Sequence, residues 1–229
     1  MAEVAARLSR RYGPLRRRPR GPLLDLLVGT ILSQNTSDLN RDRAFAALKA
    51  RFPTWEAVLA APQGKLEEAI KEAGLYRQRA KRIREILRRI KEERGELSLE
   101  FLREMGPAEA HRWLLSLPGV GRKTAGIVLL FGMGAPYFPV DTHIKRVTRR
   151  LGLWDGRGDP HDALAPLVPR GREYELHLHL IRLGREVCRP RGPRCGECLL
   201  RDLCDHAREV GRGRMEKTGG VDAARHGPA

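Results

Sequence analysis

Between residues 80 and 90, apolar side chains recur at Ala80, Ile83, Ile86, Leu87 and Ile90, the spacing of one helix face, and Gly95 supplies a stop. Arg79, Lys81, Arg82, Arg84 and Glu85 fill the opposite, solvated face. Nearly every other periodic stretch reads the same way. Pro22 opens an apolar helix through Leu23, Leu24, Leu27, Ile31 and Leu32 that is predicted to be buried nearly all round. Thr54 can cap a helix carrying Trp55 and Val58, and Pro107 suits the first position of another carrying Trp113, Leu114 and Leu115. Asp141 can cap a helix through Ile144 and Val147, and a last long helix is predicted from about Glu173 to Val187. No alternating segments flank Asn-Gly or Asp-Gly, so hairpins are not expected. The fold class read from these signals is all-α, with roughly ten helices.

Charge narrows the partner. The 229 residues carry 44 Lys and Arg against 28 Asp and Glu, a formal net charge of +16. Like charges repel and add nothing to folding, but they attract a polyanion, so nucleic acid is the leading partner. A peripheral membrane role is disfavoured by the shortage of exposed aromatic anchors. There is no run of eighteen apolar residues and no leader-like apolar segment after Met1, which sets the expectation of a cytoplasmic, nucleoid-associated protein. Arginine outnumbers lysine 36 to 8, so a lysine at a special position invites a chemical reason. Lysine can lose its proton and act as a nucleophile; arginine cannot. After Cys204 the chain turns polar and glycine-rich, and residues 211–229 are expected to be a disordered tail.

Residues 117–125 read Leu-Pro-Gly-Val-Gly-Arg-Lys-Thr-Ala, between one helix ending near Ser116 and another ending near Gly132. Gly119 and Gly121 permit a tight turn, and the amides opening the second helix carry its positive dipole end. A DNA phosphate can approach such amides closely. Gly-x-Gly alone would suit an ordinary corner between helices; the whole string on a strongly basic chain points to a helix–hairpin–helix.

All four cysteines fall in one segment, Cys188, Cys195, Cys198 and Cys204, spaced C-x6-C-x2-C-x5-C. Without an export signal a disulfide framework is not expected. Four thiolates so close together can enclose one tetrahedral metal ion or one cubane cluster, and spacing does not choose between them.

The hairpin string, followed by Val140-Asp141-Thr142-His143, resembles the paired signature of the helix–hairpin–helix DNA glycosylases, and within them endonuclease III, from about residue 22 to Cys204. The resemblance implies a two-domain glycosylase fold with a [4Fe–4S] cluster loop held by Cys188, Cys195, Cys198 and Cys204. It implies a helical domain over 22–134 and a cluster domain made of 1–21 with 135–210. The family's lysine nucleophile falls on Lys123 and its essential aspartate on Asp141, eighteen positions on. Monofunctional relatives usually carry another residue at the lysine position, so a combined glycosylase and AP lyase is implied, acting as a monomer on double-stranded damaged DNA. A monofunctional mismatch or uracil glycosylase and a non-catalytic DNA-binding module are the alternatives. Residues implied to meet DNA are Gly119, Val120, Gly121, Arg122, Thr124 and His143, with Arg189, Arg191 and Arg194 on the cluster loop.

The chemistry suits those residue types. Breaking a glycosidic bond builds positive charge on the sugar, which a carboxylate stabilises. An amine attacking C1′ must be neutral, a form that partial burial at a helix N-terminus would favour. A flipped base also leaves a gap to be filled. The resemblance puts the plug at Gln34 or Asn35 and the wedge at Leu75. Aligned from Asp38 without a gap, the plug position is Asn35, with the glutamine one residue earlier. Eight positions before the lysine, where endonuclease III can carry Glu, stands Leu115, so lesion preference could differ; oxidised pyrimidines are the substrates implied.

Overall fold

The computed structural model describes residues 1–17 and 21–210; the expected tail over 211–229 lies outside the described residues. Among the described residues the chain is helical, with no strand. It divides into two compact units, Arg17–Pro139 and Met1–Arg16 with Val140 onward.

The unit from Arg17 to Pro139 is built around α2 (Leu23–Ser33), whose Leu23, Leu24, Leu27, Val28, Ile31 and Leu32 are all buried. Against it pack α3 (Asp38–Arg51) and α6 (Tyr76–Arg94), and α4 (Trp55–Ala60) and α5 (Gln63–Ala69) pack in turn on α6. Each buried Leu or Ile side chain contributes about 1.5–3 kcal/mol relative to an exposed one, so a helix apolar on every face must lie at the centre. The predicted stops and starts hold. Thr54 accepts the Ala57 N–H, Gly95 ends α6 with φ 76°, and Pro107 is the first residue of α7 (Pro107–Ser116).

The helix after the hairpin changes character along its length. It begins as α8 (Arg122–Ile127) and widens into π-helical turns over Val128–Met133, with the Gly134 N–H reaching back to the Leu129 carbonyl. Gly132 sits where this segment meets α2: a Cβ there would run into Leu23 and come within 3.2 Å of Leu26. Any side chain there would force the Leu23 side chain to move.

One expectation fails on α6. Arg79 was read as part of the solvated face, yet it is 3% exposed. Its guanidinium folds back to main-chain carbonyls at the start of the helix, where the loops around residues 34 and 73 leave acceptors without helical partners.

In the other unit α11 (Glu173–Glu186) packs against α1 (Ala2–Tyr12) and α9 (Thr142–Arg150), with α10 (Pro160–Leu164) between the last two in sequence. Leu176, Leu180 and Leu183 are buried on α11, Val4 and Leu8 on α1, and Ile144 and Val147 on α9. Arg7 of α1 makes a two-pronged ion pair with Asp202, at 2.6 and 2.9 Å, and donates to the Leu199 carbonyl at 3.1 Å. The N-terminal helix thereby braces the cysteine segment.

Candidate active site

The hairpin is formed as its glycines require. Gly119 takes φ +70°, a left-handed value that β-carbon sterics penalise in other residues. Gly121 is different: its φ is −94°, it is exposed, and a Cβ there would meet nothing within 4 Å. Gly121 is the N-cap of α8, and no side chain caps the first turn. The amides of that turn therefore have no side-chain acceptor and carry the positive end of the helix dipole. Val120 and Thr124 are buried, at 5% each, so main chain is what they can offer a ligand. Lys123 is exposed on the first turn rather than partly buried as expected. The side chains of its own unit do not cover it.

Two arginines of α6, missed as site residues in the sequence, organise the loops beside the hairpin. Arg82 Nη1 donates to Gln34 Oε1 at 3.3 Å, and the same guanidinium lies over Gly119. The Gln34 side chain is thus tied to the hairpin, whereas Asn35 is exposed with φ 54°. Leu75 is 55% exposed at the head of α6, with φ 46°. Leu115 is exposed on α7, close in sequence to the hairpin.

In the other unit Asp141 caps α9, its Oδ1 accepting the Ile144 N–H at 2.8 Å. The cap leaves Oδ2 uncommitted to it. Arg146, a further residue not singled out from sequence, links three groups. Its Nη2 donates to the Gly184 carbonyl at 2.8 Å and lies 3.1 Å from His143 Nδ1, and its Nε donates to the Cys188 carbonyl at 2.9 Å. Gly184 is needed for this approach, because a Cβ there would come within 2.9 Å of the His143 Cβ. Burial holds the His143 imidazole below the ordinary histidine range, aided by Arg146 and Arg185 and opposed by Asp141.

The four cysteines are free of disulfides. Burial pushes the Cys198 thiol up, and its three cysteine neighbours push it further; Cys204 is raised in the same way. A bound cation at this segment would supply the charge that holds its cysteines as thiolates. No three of them, nor any other His, Cys, Asp or Glu among the described residues, are gathered tightly enough to hold a single metal ion. Arg150 of α9 shapes the loop: Nη1 donates to Cys188 Sγ at 3.3 Å and to the Arg189 carbonyl at 2.7 Å, and Nη2 donates to the Pro190 carbonyl at 3.0 Å. With its main chain fixed in this way, the loop exposes Arg189, Arg191 and Arg194, the last of which pairs with Glu197 at 3.5 Å. Among the described residues no helix is long and apolar enough to cross a membrane.

An all-α chain with an uncapped glycine hairpin, a first-turn lysine and a basic surface defines a DNA repair glycosylase of the helix–hairpin–helix class. The chain belongs to the HhH-GPD superfamily of base excision DNA repair proteins, whose family model matches residues 28–168. It is 38% identical over 192 residues to endonuclease III of Thermotoga maritima, covering 83% of this chain and 86% of that protein. With endonuclease III of Treponema pallidum it shares 40% identity over 181 residues, 78% of this chain and 82% of that one. Its fold superposes on a non-covalent endonuclease III–DNA complex with a TM-score of 0.78 at 26% identity, over 92% of this chain and 96% of that chain. The resemblance to endonuclease III and the all-α glycosylase fold, both read from the sequence, are borne out.

Proposed function

We propose that the chain excises oxidised pyrimidines from double-stranded DNA and then cleaves the strand as an AP lyase, acting as a monomer associated with the nucleoid. The observation that carries this reading is Lys123, exposed on the first turn of a helix whose amides no side chain caps. Those amides receive a phosphate of the damaged strand, which brings the sugar within reach of the lysine.

Lys123 is the nucleophile. Its neutral nitrogen attacks C1′, the glycosidic bond breaks, and the base leaves with a proton. The nitrogen lone pair then opens the ring: the C1′–O4′ bond breaks, O4′ takes a proton from water, and the iminium that forms keeps the remaining N–H. That electron sink makes the 2′ proton acidic; its removal expels the 3′ phosphate by β-elimination. Asp141 stabilises the positive charge that develops on the sugar. Because the free chain leaves Lys123 in water, exclusion of that water falls to the bound DNA.

The two units serve as the two domains, one with the hairpin and the lesion-reading loops, the other with Asp141 and the cysteines. Cys188, Cys195, Cys198 and Cys204 would hold a [4Fe–4S] cluster, whose part is to fix the loop that presents Arg189, Arg191 and Arg194 to phosphates. What supports a cluster over zinc is the C-x6-C-x2-C-x5-C spacing, which is that of the endonuclease III cluster. Violet-end visible absorbance with bound iron is the expected property of aerobically purified protein; colourless protein with stoichiometric zinc would exclude it.

The decisive experiment incubates the protein with end-labelled duplexes, each holding one defined lesion, in parallel with borohydride to trap the iminium and without it to read cleavage. A covalent protein–DNA complex and cleavage without added alkali are expected. Base release that needs alkali for cleavage would identify a monofunctional enzyme, and binding with no base release a non-catalytic module.

A further inference from the structure

Asn35 and Leu75 are the two residues other than glycine with positive φ among the described residues. Asparagine tolerates the left-handed region; a leucine is placed there only when its surroundings over-determine it. Each follows, by one and by two residues respectively, a carbonyl gripped by the same side chain. Arg79 donates through Nη2 to the Gln34 carbonyl and through Nη1 to the Ala73 carbonyl, and its own main-chain N–H donates to the Leu75 carbonyl at 3.1 Å. The guanidinium is 3% exposed, and no ion pair to a carboxylate accompanies it. Burying a cation is costly, and charge-assisted bonds to carbonyls of two separate loops are what offset the cost here. Nothing in the hydrophobic packing of α6 asks for a cation at this position; its apolar face is complete without it.

We infer that Arg79 is a positioning residue, a strut that fixes the 34–35 and 73–75 loops in one geometry so that Asn35 and Leu75 enter the duplex together. The inference rests on the reading of those two residues as plug and wedge. It also assigns the plug: Gln34 is held by its carbonyl from Arg79 and by its side chain from Arg82, while Asn35 is the residue left exposed. Arg79 itself touches no DNA, so its effect is confined to substrates that need a gap filled.

That restriction supplies the test. Cleavage of an abasic site is measured in duplex and in single-stranded DNA, the latter having no partner strand to displace. Arg79→Met is expected to slow duplex cleavage by about a hundredfold through loop misplacement while single-strand cleavage stays unchanged. Arg79→Lys, which keeps a cation with several donors, is expected to restore most of the duplex rate. Adding Arg79→Met to an Asn35→Ala, Leu75→Ala variant is expected to cost less than roughly twofold more, because the groups act as one unit. Equal losses on both substrates would reduce Arg79 to a fold-holding role and overturn the inference. So would duplex cleavage at the native rate by Arg79→Met when Asn35→Ala, Leu75→Ala is impaired. If the latter variant itself cleaves duplex normally, the plug-and-wedge reading falls instead. Should Arg79→Met not fold, Arg79→Gln, able to serve one carbonyl, is read on the same two substrates.

Discussion

The guanidinium of Arg82 occupies the space above Gly119 that a side chain would need: a Cβ there would lie 2.7 Å from Cζ and 2.8 Å from Cδ. With Nη1 on Gln34 Oε1, the same group joins the hairpin to the loop at residues 34 and 35. Glycine at 119 is therefore demanded twice, by its φ of +70° and by the arginine. Gly119→Ala is expected to cost about 1–2 kcal/mol of stability from the left-handed backbone alone, and to displace Arg82. Urea denaturation measures the first effect; an unchanged midpoint would mean the turn is built differently.

Lys123→Ala separates chemistry from folding. The side chain is exposed, so stability is expected to stay within about 0.5 kcal/mol of the parent. Duplex binding persists, because the hairpin amides remain. Borohydride trapping is expected to vanish. A variant that still traps at the normal yield would move the nucleophile elsewhere.

Asp141 holds two positions at once, as N-cap of α9 and as the proposed carboxylate of the active site. Two substitutions divide these. Asparagine caps a helix about as well as aspartate, so Asp141→Asn is expected to keep its melting temperature and lose activity. Asp141→Ala is expected to lose activity and about 1 kcal/mol of stability. If Asp141→Asn excised bases at the parental rate, the charge would have no part in the reaction.

His179 of α11 makes stability fall with pH. At 1% exposure, burial holds the ring below the ordinary histidine range, with Glu175 partly opposing. A folded state with the lower pKa binds fewer protons than the unfolded chain. Its stability is therefore full above the unfolded value of about 6.5 and declines as pH drops below it. On acidification the denaturant midpoint of the parent is expected to fall more steeply than that of His179→Leu, since carboxylate effects are common to both. Parallel curves would show that the imidazole contributes nothing.

Much of the local structure could be read along the chain because its causes are local. Thr54, Gly95, Pro107 and Asp141 act within four residues of themselves, and they stand in the structure at the ends where the sequence puts them. The hairpin string was legible for the same reason. Arg79, Arg82, Arg146 and Arg150 were not. Their acceptors are carbonyls or side chains up to 48 residues away, and one such carbonyl has no residue-type signature. A helix wheel placed Arg79 in water, because periodicity records which face is apolar and says nothing of a long side chain that turns back over its own N-terminus. The buried pair Glu175 and His179 escaped notice likewise, as α11 is wrapped by other elements on more faces than its apolar stripe covers.

What the amino-acid order determined alone is the all-α class, the helix ends at Thr54, Gly95, Pro107 and Asp141, the hairpin and the four thiols, since each depends on bonds closed within a turn or two of the chain. The tertiary structure decided which loops are gripped by which arginine, which of Gln34 and Asn35 is presented, and that Lys123 lies open to solvent. Those outcomes depend on packing between segments far apart in sequence, where free energy is set by which groups lose water together.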